Sequence, residues 1–255
     1  MLVSITIPVY NDPEGLKKSL KSLIDQSYTN WEAIIIDDGS NVNLQNVINS
    51  FSDNRFIFYR FNANKGRPYA RQKSFELLKG DYCAFLDAGD QFEKNFLLRT
   101  IEVFKNEPLL AVSQSMKITY KDLIYFSDYN EETFSLDNTK FNKISFASTV
   151  FKSEVCAKYL FNKKLKYSQD KHFLNYVSFN FKGKIKLLNT FNYIYNQGNN
   201  MNPNTTYKKY YYDFLRIFDQ KKYFNSFIAL LKIPFYYMIH IFFGYEKILM
   251  LRYKK

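Results

Sequence analysis

The residues of this chain best able to do chemistry are carboxylates that stand directly after apolar runs. Asp37-Asp38-Gly39-Ser40 follows one such run and Asp87-Ala88-Gly89-Asp90 follows another. Asp oxygens grouped in this way suit a hard divalent cation that also touches substrate phosphates, and they can accept hydrogen bonds from a base or a ribose. The same residues are also good turn formers, and Asp90 could simply cap a following helix. A third segment, Asn64-Lys65-Gly66-Arg67 followed by Arg71, sets three cations around a flexible glycine at the mouth of a helix. A pyrophosphate would be held there by charge and by backbone N–H groups, although an ordinary solvated basic loop reads the same way.

What the sequence lacks narrows the chemistry further. With only His172 and His240 in the chain, imidazole-based metal sites are nearly excluded. The turn after the first apolar run reads Pro8-Val9-Tyr10-Asn11-Asp12-Pro13, without the glycine pair of a dinucleotide fold. A Walker phosphate loop, a G-x-S-x-G nucleophile turn and Cys/His zinc spacing are also missing.

For these groups to work together, elements must bring them to one place. Apolar runs of strand length occur at Val3–Val9, Trp31–Ile36, Phe56–Phe61 and Tyr82–Leu86, and segments of helical period separate them. In the first helical segment Leu16, Leu20, Leu23 and Ile24 form an apolar face opposite Lys17, Lys18 and Lys21, with Asp12 and Pro13 as N-cap and first-turn pair. Further helices are expected around Leu44 to Phe51, from Pro68 to Leu78 with Gly80 just beyond, and from Phe96 to Phe104. Repeated βα units predict an α/β fold, a mixed but mainly parallel sheet flanked by helices. Ligands of such sheets bind outside the carboxyl ends of the strands. Tyr10-Asn11-Asp12, Asp37 to Ser40, Asn62 to Arg67 and Asp87 to Asp90 all fall there, so the sequence points four strand ends at one rim.

Beyond Leu110 the pattern is less regular, and residues 111–206 are read as the second half of the same domain, after a first half at 1–110. With 255 residues, 46% of them hydrophobic, the chain can bury a sizeable core. Its formal charge is +12, but residues 207–255 hold ten Lys or Arg against three Asp or Glu, so +7 sits in the tail and +5 in the rest. Cys83 and Cys156 show no metal-ligand spacing, and Cys83 lies inside an apolar run as a small buried hydrophobe, which fits a reducing compartment. The chain opens directly on a strand-like run without a charged leader, so a cytoplasmic location is expected.

Together the motifs resemble the family 2 glycosyltransferases of GT-A fold. The matching stretches are Ile5 to Asn11, Leu20 to Tyr28, Ile35 to Ser40, Asn64 to Arg71 and Gly80 to Asp90, in order over about the first 110 residues. The resemblance implies an inverting transferase that uses a nucleoside-diphosphate sugar, usually a UDP-sugar, with Mg or Mn. It implies that Pro8, Tyr10 and Asp38 hold the nucleobase and its ribose, that Arg71 faces the diphosphate, and that the turn from Asp87 to Asp90 binds ribose and metal. Gly89 stands where the family often has a further Asp, so Asp90 is expected as the direct metal ligand and Asp87 as a contributor to donor binding. Asp170, in Tyr167-Ser168-Gln169-Asp170-Lys171-His172-Phe173, matches the family's general base, with Gln169 in place of the usual acidic neighbour.

The tail after Tyr207 is basic, aromatic and apolar, but its longest uncharged run, Ile233 to Tyr245, is too short to span a bilayer. Amphipathic helices lying on the anionic inner face of the cytoplasmic membrane are expected instead. A lipid-linked glycan or glycolipid acceptor, as in capsule or lipopolysaccharide synthesis, would suit that placement. A polyprenyl-phosphate sugar synthase and a non-catalytic glycan-assembly scaffold are the competing readings. A nucleic-acid partner is not expected, because the charge gathers beside an apolar tail rather than interleaving with aromatics on one face.

Overall fold

A computed structural model of the chain describes residues 1–120, 123–127, 130–135, 144–163 and 169–197. The basic tail therefore lies outside the described residues. So do the Asn-rich stretch beyond Gln197 and the first two residues of the Tyr167–Phe173 segment.

The first strand, β1 (Val3–Val9), is buried almost throughout because sheet lies on both sides of it and helices cover both faces. It pairs in parallel with β2 (Trp31–Asp37) on one side and with β4 (Tyr82–Phe85) on the other. β3 (Phe56–Arg60) extends the parallel part beyond β2. The helices between these strands are α1 (Pro13–Ile24), the short α2 (Gln45–Asn49) and α3 (Arg67–Glu76). Asp12 does cap α1, accepting a 2.8 Å hydrogen bond from the Gly15 amide, and Pro13 supplies a first-turn residue that needs no donor. Leu16, Leu20 and Leu23 are fully buried beneath α1. Each contributes about 1.5–3 kcal/mol relative to an exposed side chain.

The second half is more regular than its sequence pattern implies. After the two-residue β5 (Gln91–Phe92) and α4 (Phe96–Asn106) come the long β6 (Ala111–Tyr120), then β7 (Leu123–Phe126) and β8 (Glu132–Ser135). The described residues end with β9 (Thr149–Lys152), α5 (Ser153–Ala157), α6 (Gln169–Asn180) and the fourteen-residue β10 (Lys184–Gln197). One ten-stranded sheet results, in the order β3-β2-β1-β4-β9-β6-β10-β5, with β7 beside β6 and β8 beside β10. It is mixed: β9 runs antiparallel to both β4 and β6, whereas β10 runs parallel to β6. A register shift between Leu188 and Tyr193 in β10 allows Tyr193 to pair with Phe92 of β5 as well as with Met116 of β6.

The pleat divides the core between the two faces of the sheet. Tyr82 and Ala84 of β4 join the cluster under α1 and α4, while Cys83 and Phe85 join the aromatic cluster of Phe75, Phe151, Phe161 and Phe173 on the other face. The two cysteines, far apart in sequence, are buried next to each other in that second cluster. Burial and the Cys83 thiol both push the Cys156 thiol well above its ordinary pKa.

Candidate active site

The carboxyl ends of β1, β2 and β4 form one rim, and each turn there is tied to its neighbour. Asn11, in the positive-φ region at 52°, donates its backbone N–H to Ser40 Oγ at 2.8 Å, and its side-chain oxygen accepts from the Asn41 amide at 2.7 Å. The two carboxylates after β2 divide the work. Asp37 is fully buried, accepts from the Ser40 amide at 2.8 Å and faces Arg60 Nε at 3.6 Å, so it holds the turn. Asp38 reaches across to the next loop and accepts from the Lys65 and Gly66 amides, both at 2.8 Å. Gly39 makes this possible: its φ is +73°, and a Cβ there would lie 2.4 Å from the Ala63 carbonyl carbon.

Between these turns lies a cleft of about 380 Å³. Pro8, Tyr10, Asp38 and Asp87, four of the residues the sequence assigns to the donor, line it. Tyr10 is 46% exposed, and an aromatic ring there can offer a face to a base. Asn64, Gly66 and Arg67 close the opposite wall at the start of α3, and the Arg67 guanidinium stands 3.6 Å from Asp87 Oδ2. Val9, Asp12, Ala70 and Ala88 complete the lining; Asp12 and Ala88 belong to the strand-end turns that the sequence sets on the rim, whereas Val9 and Ala70 enter through their position alone.

Arg71, Asp170 and Asp90 stand outside this lining. Arg71, one turn into α3, is 3% exposed and spans two carboxylates: Nη2 lies 3.2 Å from Asp87 Oδ1 and Nη1 lies 3.0 Å from Asp170 Oδ1. Its guanidinium also sits over the Phe146 ring at 4.8 Å. Burial by itself would lower the Arg71 pKa, but the charges of Asp87 and Asp170 and the hydrogen bonds to them raise it above its ordinary value. The cation is therefore permanent. Asp170, in the first turn of α6, is half-exposed. Beside it, Tyr159 and His172 Nδ1 share a 2.6 Å hydrogen bond, a structural pairing at the base of α6.

Asp90 is 3% exposed and turned toward β10. Its Oδ2 accepts from the Tyr193 hydroxyl at 2.6 Å and its Oδ1 from the Asn196 amide at 2.9 Å. Burial and the nearby Asp87 charge push its carboxyl up to about 8, against the opposing pull of Tyr193, Asn196 and Arg67. From the other side Ser19 of α1 donates to the Asp90 carbonyl at 2.7 Å and accepts from the Gly89 amide at 3.1 Å. Ser19, Tyr193 and Asn196 carry no sequence signal for this role. Their proximity to the turn comes from the packing of α1 and β10 alone.

The residues on the cleft fit a divalent cation of one kind. Among the described residues no group of three or more His, Cys, Asp or Glu converges. Asp87, about one-third exposed and facing the cleft, can offer one carboxylate to an ion whose remaining ligands are donor phosphates and water.

Comparison with known proteins gives the family and the fold. Residues 4–164 match the model of Glycosyl transferase family 2, a span that holds the whole rim of strand ends and stops just short of Asp170. The chain is 30% identical over 161 residues to the UDP-Glc:alpha-D-GlcNAc-diphosphoundecaprenol beta-1,3-glucosyltransferase WfgD of Escherichia coli, an alignment covering 57% of this chain and 64% of the relative. It thus spans less than two thirds of that relative's length. The fold is that of S. aureus TarS in complex with UDP-GlcNAc, with a TM-score of 0.71 at 18% identity over 85% of this chain and 65% of TarS. The mannosyltransferase PcManGT of Pyrobaculum calidifontis, solved with GDP-Man and Mn2+, superposes at a TM-score of 0.62 and 10% identity, covering 86% of this chain and 64% of the other. With its GT-A sheet, its rim of strand-end carboxylates and a family match across that rim, the chain belongs to glycosyl transferase family 2.

Proposed function

We propose that this protein moves a sugar, with inversion, from a UDP-sugar to a hydroxyl of a lipid-linked glycan in the synthesis of a bacterial surface polysaccharide. Tyr10, Pro8 and Asp38 form the base and ribose end of the cleft, and Asp87 stands at its diphosphate end with Arg67. A divalent cation held at the turn from Asp87 to Asp90 would, when bound, neutralise charge on the departing diphosphate. Asp170 takes the proton of the acceptor hydroxyl as that oxygen bonds to the anomeric carbon, while the bond from that carbon to the diphosphate oxygen breaks. The observation that carries this reading is the Arg71 guanidinium, which joins a cleft carboxylate, Asp87, to the candidate base, Asp170.

The relatives support the choice of substrates. WfgD is named for a UDP-linked donor and a diphosphoundecaprenol acceptor, and TarS was solved with UDP-GlcNAc. No helix among the described residues is long and apolar enough to cross a membrane. The basic, aromatic sequence from 207 to 255 supports attachment to the inner face of the cytoplasmic membrane, where a lipid-linked acceptor would be found.

Replacing Asp170 by Asn tests the mechanism. Turnover with a hydroxyl acceptor is expected to fall by about 10²–10⁴, with UDP affinity retained, because only the proton transfer is removed. Unchanged turnover would overturn the base assignment and favour a lipid phosphate as nucleophile, which needs no base.

A further inference from the structure

We propose that Asp90 is a positioning residue, a latch that fixes the donor turn to β10, and that Asp87 is the carboxylate of this turn presented to a donor-bound divalent cation. The inference rests on the donor-site reading above and departs from the assignment that the motif by itself gives.

Placement comes first. Asp87 lines the cleft and is about one-third exposed, so a cation could share its carboxylate with Arg71, at 3.2 and 3.4 Å, and Arg67, at 3.6 Å, whereas Asp90 is buried behind the turn and absent from the lining. Each Asp90 oxygen already accepts a hydrogen bond, from the Tyr193 hydroxyl at 2.6 Å and from the Asn196 amide at 2.9 Å. Neither donor is free to leave. Tyr193 is fully buried, with the Phe92 and Phe96 ring centroids 5.6 and 6.1 Å from its own, so its hydroxyl cannot swing aside without opening the core. The Asn196 amide belongs to the β10 backbone, and its side chain adds a hydrogen bond to the Gly89 carbonyl and accepts one from Thr119 Oγ1 at 2.5 Å.

The backbone of the turn is gripped from the opposite side as well. Ser19 Oγ binds both the Gly89 amide and the Asp90 carbonyl, and the Asp90 amide donates to the Asp87 carbonyl at 3.0 Å. Bringing Asp90 round to the cleft would break the contacts to Tyr193 and Asn196 and carry the carboxylate through packed side chains. Leaving it in place gives the Asp87 carboxylate, three residues earlier, a rigid mount. At the remaining position of the turn, Gly89 adopts a φ of +99° and has no side chain to offer a cation. The latch also joins β4 to β10 across 103 residues, so it couples the donor turn to the second half of the sheet.

Isothermal titration of the full-length protein with UDP, with and without Mn2+, tests this through one ratio, the factor by which Mn2+ tightens UDP binding. In Asp87→Asn the factor is expected to collapse by about tenfold or more, whereas Asp90→Asn keeps it within about twofold. Tyr193→Phe should weaken UDP binding several-fold equally with and without Mn2+, which a residue that merely stabilised the fold would not do to the folded protein. Loss of the Mn2+ factor in Asp90→Asn overturns the proposal. If that variant does not fold, Tyr193→Phe decides: a larger Mn2+ factor would mean that an Asp90 oxygen freed from the phenol takes the cation, and the latch would be refuted. A wild-type protein that binds UDP without any Mn2+ effect overturns the Asp87 seat alone, whereas one that binds no UDP overturns the donor-site reading itself.

Discussion

Arg71 on α3 reaches Asp170 on α6 with a 3.0 Å hydrogen bond across 99 residues of sequence. The same guanidinium holds Asp87, so a single buried cation sets the spacing between the donor turn and the candidate base. A planar fork with several donors can do this, and a point charge cannot. Arg71→Lys is therefore expected to keep one partner and lose the other, with a large loss of turnover. Arg71→Met should also cost on the order of 2–3 kcal/mol of stability, less than a fully buried pair because both carboxylates keep partial access to water. Denaturant unfolding of the metal-free variants measures it, and unchanged stability would show that the bridge carries no energy.

Gly39 is required by the turn that presents Asp38. Its positive φ is unfavourable for any side chain, and a Cβ would press on the backbone of Ala63, which cannot move without shifting the loop from Asn64 to Arg67. Gly39→Ala is expected to cost more than about 2 kcal/mol and to weaken UDP binding, because the amides that Asp38 holds would be displaced. Thermal unfolding together with UDP titration checks both effects. A change below about 0.5 kcal/mol, the scale of an ordinary surface substitution, would contradict the assignment.

Asp53 and Arg55 give a pH dependence that is separate from catalysis. The Arg55 side chain grips the Asp53 carboxylate at 2.6 and 2.9 Å and lies over the Trp31 ring at 3.6 Å, fastening the entry of β3 to β2. The hydrogen bond from Arg55 lowers the Asp53 pKa from its ordinary value, against a smaller opposing effect of burial. A depressed folded-state pKa means that the stabilisation is present above the unfolded carboxyl value near 3.8 and is lost as pH falls through the folded value. Asp53→Asn should then lower stability by about 1 kcal/mol at pH 7 and by much less at pH 3. Equal losses at both pH values would count against it.

Much of the rim was legible because strand ends and glycine turns leave local marks. An apolar run, an acidic pair and a glycine are adjacent in sequence and remain adjacent in the fold, which is why Asp37 to Ser40 and Asp87 to Asp90 stood out. The second half was harder to read. β6 is buried on both faces along most of its length and mixes polar with apolar residues there, and β10 carries an irregularity near Tyr193, so neither shows a clean period. Gly80 illustrates a local signal with a different cause. It does not end α3, whose C-cap is Leu77; its amide donates to Ser4 Oγ, and a Cβ there would meet the β1 backbone at 2.7 Å.

The sequence by itself determined the βα order, the caps and the set of polar residues at the strand ends, because each of these depends on neighbours within a few positions. Tertiary structure decided how those residues are used. That Asp37 is interior and Asp38 faces the loop, that Arg71 joins Asp87 to Asp170, and that Asp90 turns to Tyr193 and Asn196 all depend on contacts between elements many residues apart. Such contacts exist only once the sheet has ordered its strands, since a side chain's partners are set by which elements pack beside it and not by its place in the chain.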